Sequence, residues 1–176
     1  MTNVNKRNGK TMHAEIAGAG FAGLVAAVAL RQRGWSVRLH EKGPELRAFG
    51  AGIYLWHNGL RVMEGVGVLE DILNGSHTPP TYETWLHNKS VSRETFNGLP
   101  WRIMTRQHLH QTLANKARAE GVEVVIDSEV VGADPSGEIR LASGEVKKAD
   151  LVIGADGVGS KVRSVSSRTG GPRWTG

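Results

Sequence analysis

The chain has 176 residues, 39% of them hydrophobic and 22% charged, which excludes a disordered or collagen-like chain; no apolar run reaches the roughly 20 residues of a membrane helix. Cysteine is absent, and with it disulfides, thiolate metal sites and a cysteine nucleophile. The net charge of +5 sits at the ends, on Lys6, Arg7, Lys10, Arg168 and Arg173, while the rest carries 17 charges of each sign, so no nucleic-acid partner is expected.

Residues 1–12 read as a disordered basic leader. They lack the apolar h-region of a signal peptide, so the cytoplasm is the expected compartment. Ala14–Ala17 is a short apolar run that leads into Gly18-Ala19-Gly20-Phe21-Ala22-Gly23. Leu24, Val25, Ala27, Val28 and Leu30 then recur at helical spacing until Arg31-Gln32-Arg33-Gly34 stops the helix. Arg31 and Arg33 read as a solvated helix end that complements the C-terminal dipole. Trp35–His40 alternates as a second strand and ends in Glu41-Lys42.

Strand, glycine turn, helix, strand is the order a dinucleotide-binding βαβ unit requires. The first glycine permits the tight turn, the second lets backbone N–H groups approach a pyrophosphate, and the third lets helix pack on strand. Glu41 lies 18 residues beyond Gly23, where a carboxylate can accept hydrogen bonds from both ribose hydroxyls and would repel a 2′-phosphate. NADP is therefore disfavoured as the ligand of this unit.

Leu46–Ile53 is a loop with two glycines. Leu55–Leu73 carries a helical stripe of Leu60, Met63, Val66, Leu69 and Leu73, broken into two helices at Gly65 and Gly67. After the turn Thr78-Pro79-Pro80-Thr81, Tyr82–His87 and Val91–Phe96 alternate around Asn88-Lys89 as a hairpin. Thr105–Glu120 is an amphipathic helix closed by Gly121. Val122–Ile126, Val130-Val131, Ile139–Leu141 and Leu151–Ile153 are strand candidates. Alternating α and β periods make the class α/β with an inserted β element. The last strand runs into Gly154-Ala155-Asp156-Gly157-Val158-Gly159, whose glycines let backbone lie against a ligand and whose Asp156 can hydrogen-bond or organise a phosphate-side network. His108 and His110 are the only close histidine pair; on a helix they diverge, and no carboxylate stands at ligand spacing, so no metal is expected.

Gly18–Gly23 with Glu41, the Phe49-Gly50-Ala51-Gly52-Ile53 loop, Arg106 ahead of Leu109 and Leu113, and Ala155-Asp156-Gly157 occur in this order in flavin-dependent aromatic-ring monooxygenases, the para-hydroxybenzoate hydroxylase class, which the chain resembles over residues 13–163. Within that class, Ile53–Asn58 and Ser76–Trp85 are similar to the pyridine-carboxylate oxygenases of vitamin B6 breakdown. The resemblance implies a Rossmann-like FAD-binding domain with a partial β insertion (78–100) from a substrate domain. It also implies FAD held by Gly18, Gly20, Phe21, Ala22, Gly23, Glu41 and Lys42, with Arg47 and Arg106 on the cofactor. Val130 would meet the adenine side through its backbone, and Asp156 and Gly157 would lie against the pyrophosphate. The class uses NADH or NADPH and O₂ to oxygenate a small hydroxylated aromatic or pyridine ring. The cofactor carries the hard step, so no residue need be a covalent nucleophile. Tyr54 and Tyr82 suit either contact with a pyridine substrate or partly buried packing.

The family fold runs to about twice this length, and 164–176 departs from its pattern. Codons for Ser164–Gly171 read two bases later allow Gly-Phe-Lys-Gln-Asp-Arg-Trp, similar to the family continuation, so a frameshift near Ser164 is expected to have truncated the chain. Two further readings stand beside the monooxygenase: an inactive fragment that at most binds an adenine dinucleotide, and an NAD-dependent dehydrogenase. The 176-residue chain by itself is expected to be inactive and to hold flavin weakly or not at all, because the isoalloxazine side of the pocket is missing. Arg106 and Ala-Asp-Gly argue against the dehydrogenase, because binding NAD needs neither.

Overall fold

A computed structural model describes residues 6–7, 9–48, 50–95 and 101–163, so Phe49, Phe96 and the tail expected to be out of frame lie outside the described residues. In chain order the elements begin with strands β1 (Lys6–Arg7), β2 (Lys10–Thr11) and β3 (His13–Ala17), helix α1 (Phe21–Gln32) and strand β4 (Ser36–His40). Then come β5 (Gly52–Trp56), α2 (His57–Gly65), α3 (Leu69–Leu73), β6 (Thr81–Leu86), β7 (Lys89–Thr95), β8 (Trp101–Thr105) and α4 (Arg106–Ala119). The chain continues through β9 (Glu123–Val125), β10 (Val130–Asp134), β11 (Glu138–Leu141), β12 (Val146–Lys148) and β13 (Leu151–Gly154). They divide into two units, one of Met1–Ala48 with Leu113–Gly176, the other of Phe49–Thr112.

The first unit is built on a parallel four-stranded sheet in the order β13-β3-β4-β9. Crossovers between parallel neighbours need intervening chain; α1 supplies it between β3 and β4. One sheet face offers Ala14 and Ile16 of β3 with Val37 and Leu39 of β4, all buried, and Leu24, Ala27 and Val28 of α1 are buried as well. The other face carries Ala17, which clusters with Val130, Ala133, Ile139 and Leu141 of the antiparallel sheet β10-β11-β12. Arg31 is more than a solvated helix end: its guanidinium donates to the Glu120 and Trp35 carbonyls at 2.8 Å each. Within the stretch expected to be a disordered leader, β1 and β2 pair antiparallel, Lys6 opposite Thr11.

The second unit contains the expected insertion and more. Leu55 and Trp56, read above as the start of a helical stripe, are strand: β5 pairs antiparallel with β8, which was not expected, and the helix begins at His57. Four consecutive large residues, Ile53-Tyr54-Leu55-Trp56, suit a pleated strand better than a helix turn. The helical stripe does break where two glycines predict it, with α2 ending at Gly65. The β6–β7 hairpin turns at His87 and Asn88, both with positive φ (45° and 63°), the signature of a type I′ turn.

Candidate functional site

The glycine turn joins β3 to α1, and its three glycines face different surroundings. Gly18 has φ +95°, and a methyl group added there would lie 2.4 Å from the Ala155 carbonyl oxygen. One added at Gly23 would lie 1.9 Å from the Gly18 oxygen, so these two positions hold turn, helix and β13 together. At Gly20 the same methyl would meet nothing within 4 Å. Gly20 is the residue that caps α1, with no side-chain cap and no acid in the first turn. At the head of a twelve-residue helix, the Gly20 position thus faces open space with no side-chain cap of its own, which is where an anion is favoured.

Glu41 at the tip of β4 is fixed by its neighbours. One carboxylate oxygen accepts the Ala19 amide at 3.1 Å and the other accepts the Gly43 amide at 2.9 Å. The carboxylate therefore stands against the glycine turn, with acceptor capacity remaining on both oxygens. Lys42 is exposed, and Arg47 is exposed and pairs with Glu45 at 3.1 Å. Val130 opens β10 opposite Leu141, its side chain buried in the cluster around Ala17.

Asp156 shapes its own loop. It accepts the Ser160 hydroxyl at 2.6 Å and the amides of Lys161 at 2.6 Å and Val162 at 3.3 Å. Burial would raise its pKa, but these donors outweigh it and hold the carboxyl below the ordinary aspartate value. A methyl group added at Gly157 or Gly159 would meet nothing within 4 Å, so this loop also lines open space, although the positive φ of Gly157 (+85°) itself favours glycine. Gly18–Gly23, Glu41, Lys42, Arg47, Val130, Asp156 and Gly157 thus all fall in the first unit.

Arg106 belongs to the second unit, where its Cδ would lie 2.9 Å from a methyl group added at Gly50; its assignment to the cofactor rests on the resemblance alone. The same unit brings Tyr54 and Tyr82 to one cleft of about 200 Å³, with Trp56, Glu94 and Trp101. Trp56 and Trp101 are cross-strand partners and stack at 5.4 Å, and Tyr54 meets both edge-on. Both tyrosines are about half exposed, Tyr54 at 53% and Tyr82 at 51%, so neither is a core residue. Sequence reasoning missed Trp56, Trp101 and Glu94, which only the β5–β8 and β6–β7 registers bring to the tyrosines. Among the described residues there is no cluster of three or more metal-ligating side chains, and no helix long and apolar enough to cross a membrane.

Sequence reasoning also missed a buried polar network. Glu15, inside the run read as apolar, and His40 are each 1% exposed and hydrogen-bonded to one another at 2.7 Å. A charged residue within that short run was the available signal.

The FAD binding domain family matches residues 11–170. The chain is 72% identical to the solved tetrameric form of 2-methyl-3-hydroxypyridine-5-carboxylic acid oxygenase, with a TM-score of 0.86, over 90% of this chain and 43% of that one. It is 36% identical over 171 residues to 3-amino-4-hydroxybenzoate 2-monooxygenase of Streptomyces cremeus, covering 92% of this chain and 43% of the relative. It is 37% identical over 155 residues to 2-heptyl-3-hydroxy-4(1H)-quinolone synthase of Mycobacteroides abscessus, covering 86% and 41%. The chain spans about two-fifths of the length of the curated relatives it matches.

Proposed function

The chain belongs to the FAD binding domain family, in company with flavin-dependent monooxygenases, and from that premise we propose that its first unit holds the ADP half of FAD in an enzyme that oxygenates a hydroxylated aromatic or pyridine-carboxylate ring. The observation that carries the reading is the open space over Gly20 at the head of α1, with Glu41 fixed against the same turn. The residues fit the group: backbone amides for a pyrophosphate, a carboxylate for ribose hydroxyls, and glycines wherever a side chain would fill the cradle.

In this reading the amides of Phe21, Ala22 and Gly23 and the α1 dipole take the pyrophosphate. Glu41 takes the adenosine ribose, Val130 meets the adenine side through its backbone, and Lys42 and Arg47 lend positive charge. Asp156, occupied by Ser160, Lys161 and Val162, holds the loop that presents Gly157. FAD, when bound, supplies the redox chemistry, accepting electrons from NADH or NADPH and passing them to O₂ so that one oxygen atom enters the ring. Tyr54 and Tyr82 are the substrate candidates: the Tyr54, Trp56, Trp101 and Tyr82 rings offer stacking faces to a flat heterocycle, and the tyrosine hydroxyls can hydrogen-bond its substituents.

Quenching of flavin fluorescence on titrating the purified chain with FAD tests the assignment. FAD is expected to bind weakly, through its ADP half alone, to be displaced by ADP, and to resist displacement by 2′-phosphorylated ADP, which Glu41 repels. No FAD binding, or displacement by both nucleotides alike, overturns it.

A further inference from the structure

Strands of a parallel sheet covered on both faces are ordinarily apolar throughout, and one face of this sheet is not. Alternation along β3 and β4 sets His13 and Glu15 on the same face as Ser36, Arg38 and His40, with Glu15 opposite Arg38 and Ala17 opposite His40. Glu15 accepts from His40 at 2.7 Å on one oxygen; the other is shared by His13 at 3.0 Å and Arg38 at 3.2 Å. Arg38 also reaches Glu123 of β9 at 2.9 Å. Burial alone would raise the Glu15 pKa; the imidazoles of His40 and His13 and the Arg38 charge outweigh it and keep the carboxyl below its ordinary value. An ionised Glu15 takes the His40 Nε2 proton as its hydrogen bond, which leaves Nδ1 to accept the Ser128 hydroxyl at 2.7 Å.

Ser128 is where this buried face meets the glycine turn. Its hydroxyl bonds the His40 ring while its amide donates to the Glu41 carbonyl at 2.8 Å. The loop before it is gripped from the same strand end: Glu41 donates its amide to Val125, and Asp127, held at φ 49°, donates to Gly43. The His40 carbonyl in turn accepts the Gly18 amide at 2.8 Å. Residues 40 and 41 are therefore fixed by one closed circuit, through the His40 side chain below the sheet and the Glu41 carboxylate against Ala19 above the turn. Apolar replacement of a buried ionic group is often neutral or stabilising, so stability alone is a weak reason for a carboxylate and two imidazoles here.

We infer that the Glu15–His40–Ser128 chain is a positioning device for Glu41, setting its carboxylate so that the site distinguishes an adenine nucleotide bearing a ribose 2′-hydroxyl from one lacking it. The inference rests on the reading of the first unit as the adenine-nucleotide site. His40 and Ser128 touch no ligand in this account; they act through the backbone at residues 40, 41 and 18.

The test is the ratio of affinities for ADP and 2′-deoxy-ADP, measured by calorimetry on the full chain and on Ser128→Ala, Glu41→Gln and the double variant. A hydrogen bond between a hydroxyl and a carboxylate makes the wild-type preference for ADP about ten-fold or more. Ser128→Ala is expected to bring that ratio below about two-fold, Glu41→Gln to abolish it, and the double variant to lose nothing further. A purely structural role for Ser128 would weaken both nucleotides equally and leave the ratio at its wild-type value, which overturns the inference. If Ser128→Ala does not fold, His40→Asn, which keeps a polar atom near the Nδ1 position but drops the Glu15 contact, is read by the same criterion. A wild-type chain that binds ADP and 2′-deoxy-ADP equally contradicts the ribose role of Glu41 itself and takes this inference with it; a discriminating wild type with a discriminating Ser128→Ala contradicts the positioning role alone.

Discussion

At Gly23 an added methyl group would lie 1.9 Å from the Gly18 oxygen, and at Gly18 it would meet the Ala155 carbonyl at 2.4 Å in a backbone conformation that L residues rarely adopt. Neither neighbour can yield, since both are backbone. Gly23→Ala and Gly18→Ala are each expected to cost about 2–4 kcal/mol, read as a lower midpoint in urea unfolding. At Glu15 the sign follows from its depressed pKa. Its contribution is present above the ordinary carboxylate range, near 4.3, and is lost as pH falls through the lower folded value. The melting temperature is expected to drop as pH falls below about 5, and Glu15→Gln, which costs about 1–3 kcal/mol at neutral pH by removing the charge that accepts from His40, His13 and Arg38, is expected to flatten that drop. Parallel pH profiles for the two proteins would contradict this. The glycines and Glu41 were legible because their chemistry is written in local spacing. Glu15, His40 and Ser128 were not, because residues 25 and 88 positions apart meet only through the parallel register.

The β6–β7 hairpin places His87 and Asn88 in the left-handed region, where a β-type I′ turn prefers Asn followed by Gly. Replacing the pair by Asn-Gly is expected to stabilise the second unit by about 0.5–1 kcal/mol, visible as a rise in melting temperature of a few degrees. An unchanged or lower melting temperature would contradict the turn assignment. This hairpin could be read in sequence because its two alternating runs adjoin the turn. Strand β8 could not: its partner β5 lies about 50 residues earlier and shows the same apolar density as the helix that follows it. The α2 boundary slipped for that reason, and with it the aromatic trio of Tyr54, Trp56 and Trp101. Elements whose periodicity is clean, such as α1 and α4, fell within a few residues of their expected bounds.

At the scale of the molecule, each unit carries its own sheets and its own candidate chemistry. The first has the parallel sheet, the glycine turn and the Glu41 carboxylate; the second has the antiparallel β5–β8 pair, the hairpin and an aromatic cleft. Trp85, Leu86 and Val91 stand exposed on the hairpin, each more than half accessible. Such a surface is ordinarily met by another part of a protein, in keeping with relatives more than twice as long as this chain. The surplus positive charge lies at the two ends of the sequence. The central claim is that the space over Gly20 receives the phosphates of an adenine dinucleotide. Calorimetric titration of ADP into the wild-type chain and Gly20→Ala tests it most directly, because the added methyl touches no protein atom within 4 Å and should change stability by no more than about 1 kcal/mol. The account predicts one-to-one binding by the wild type and at least about ten-fold weaker binding by a Gly20→Ala protein that melts normally. Equal affinity in the two proteins would contradict it.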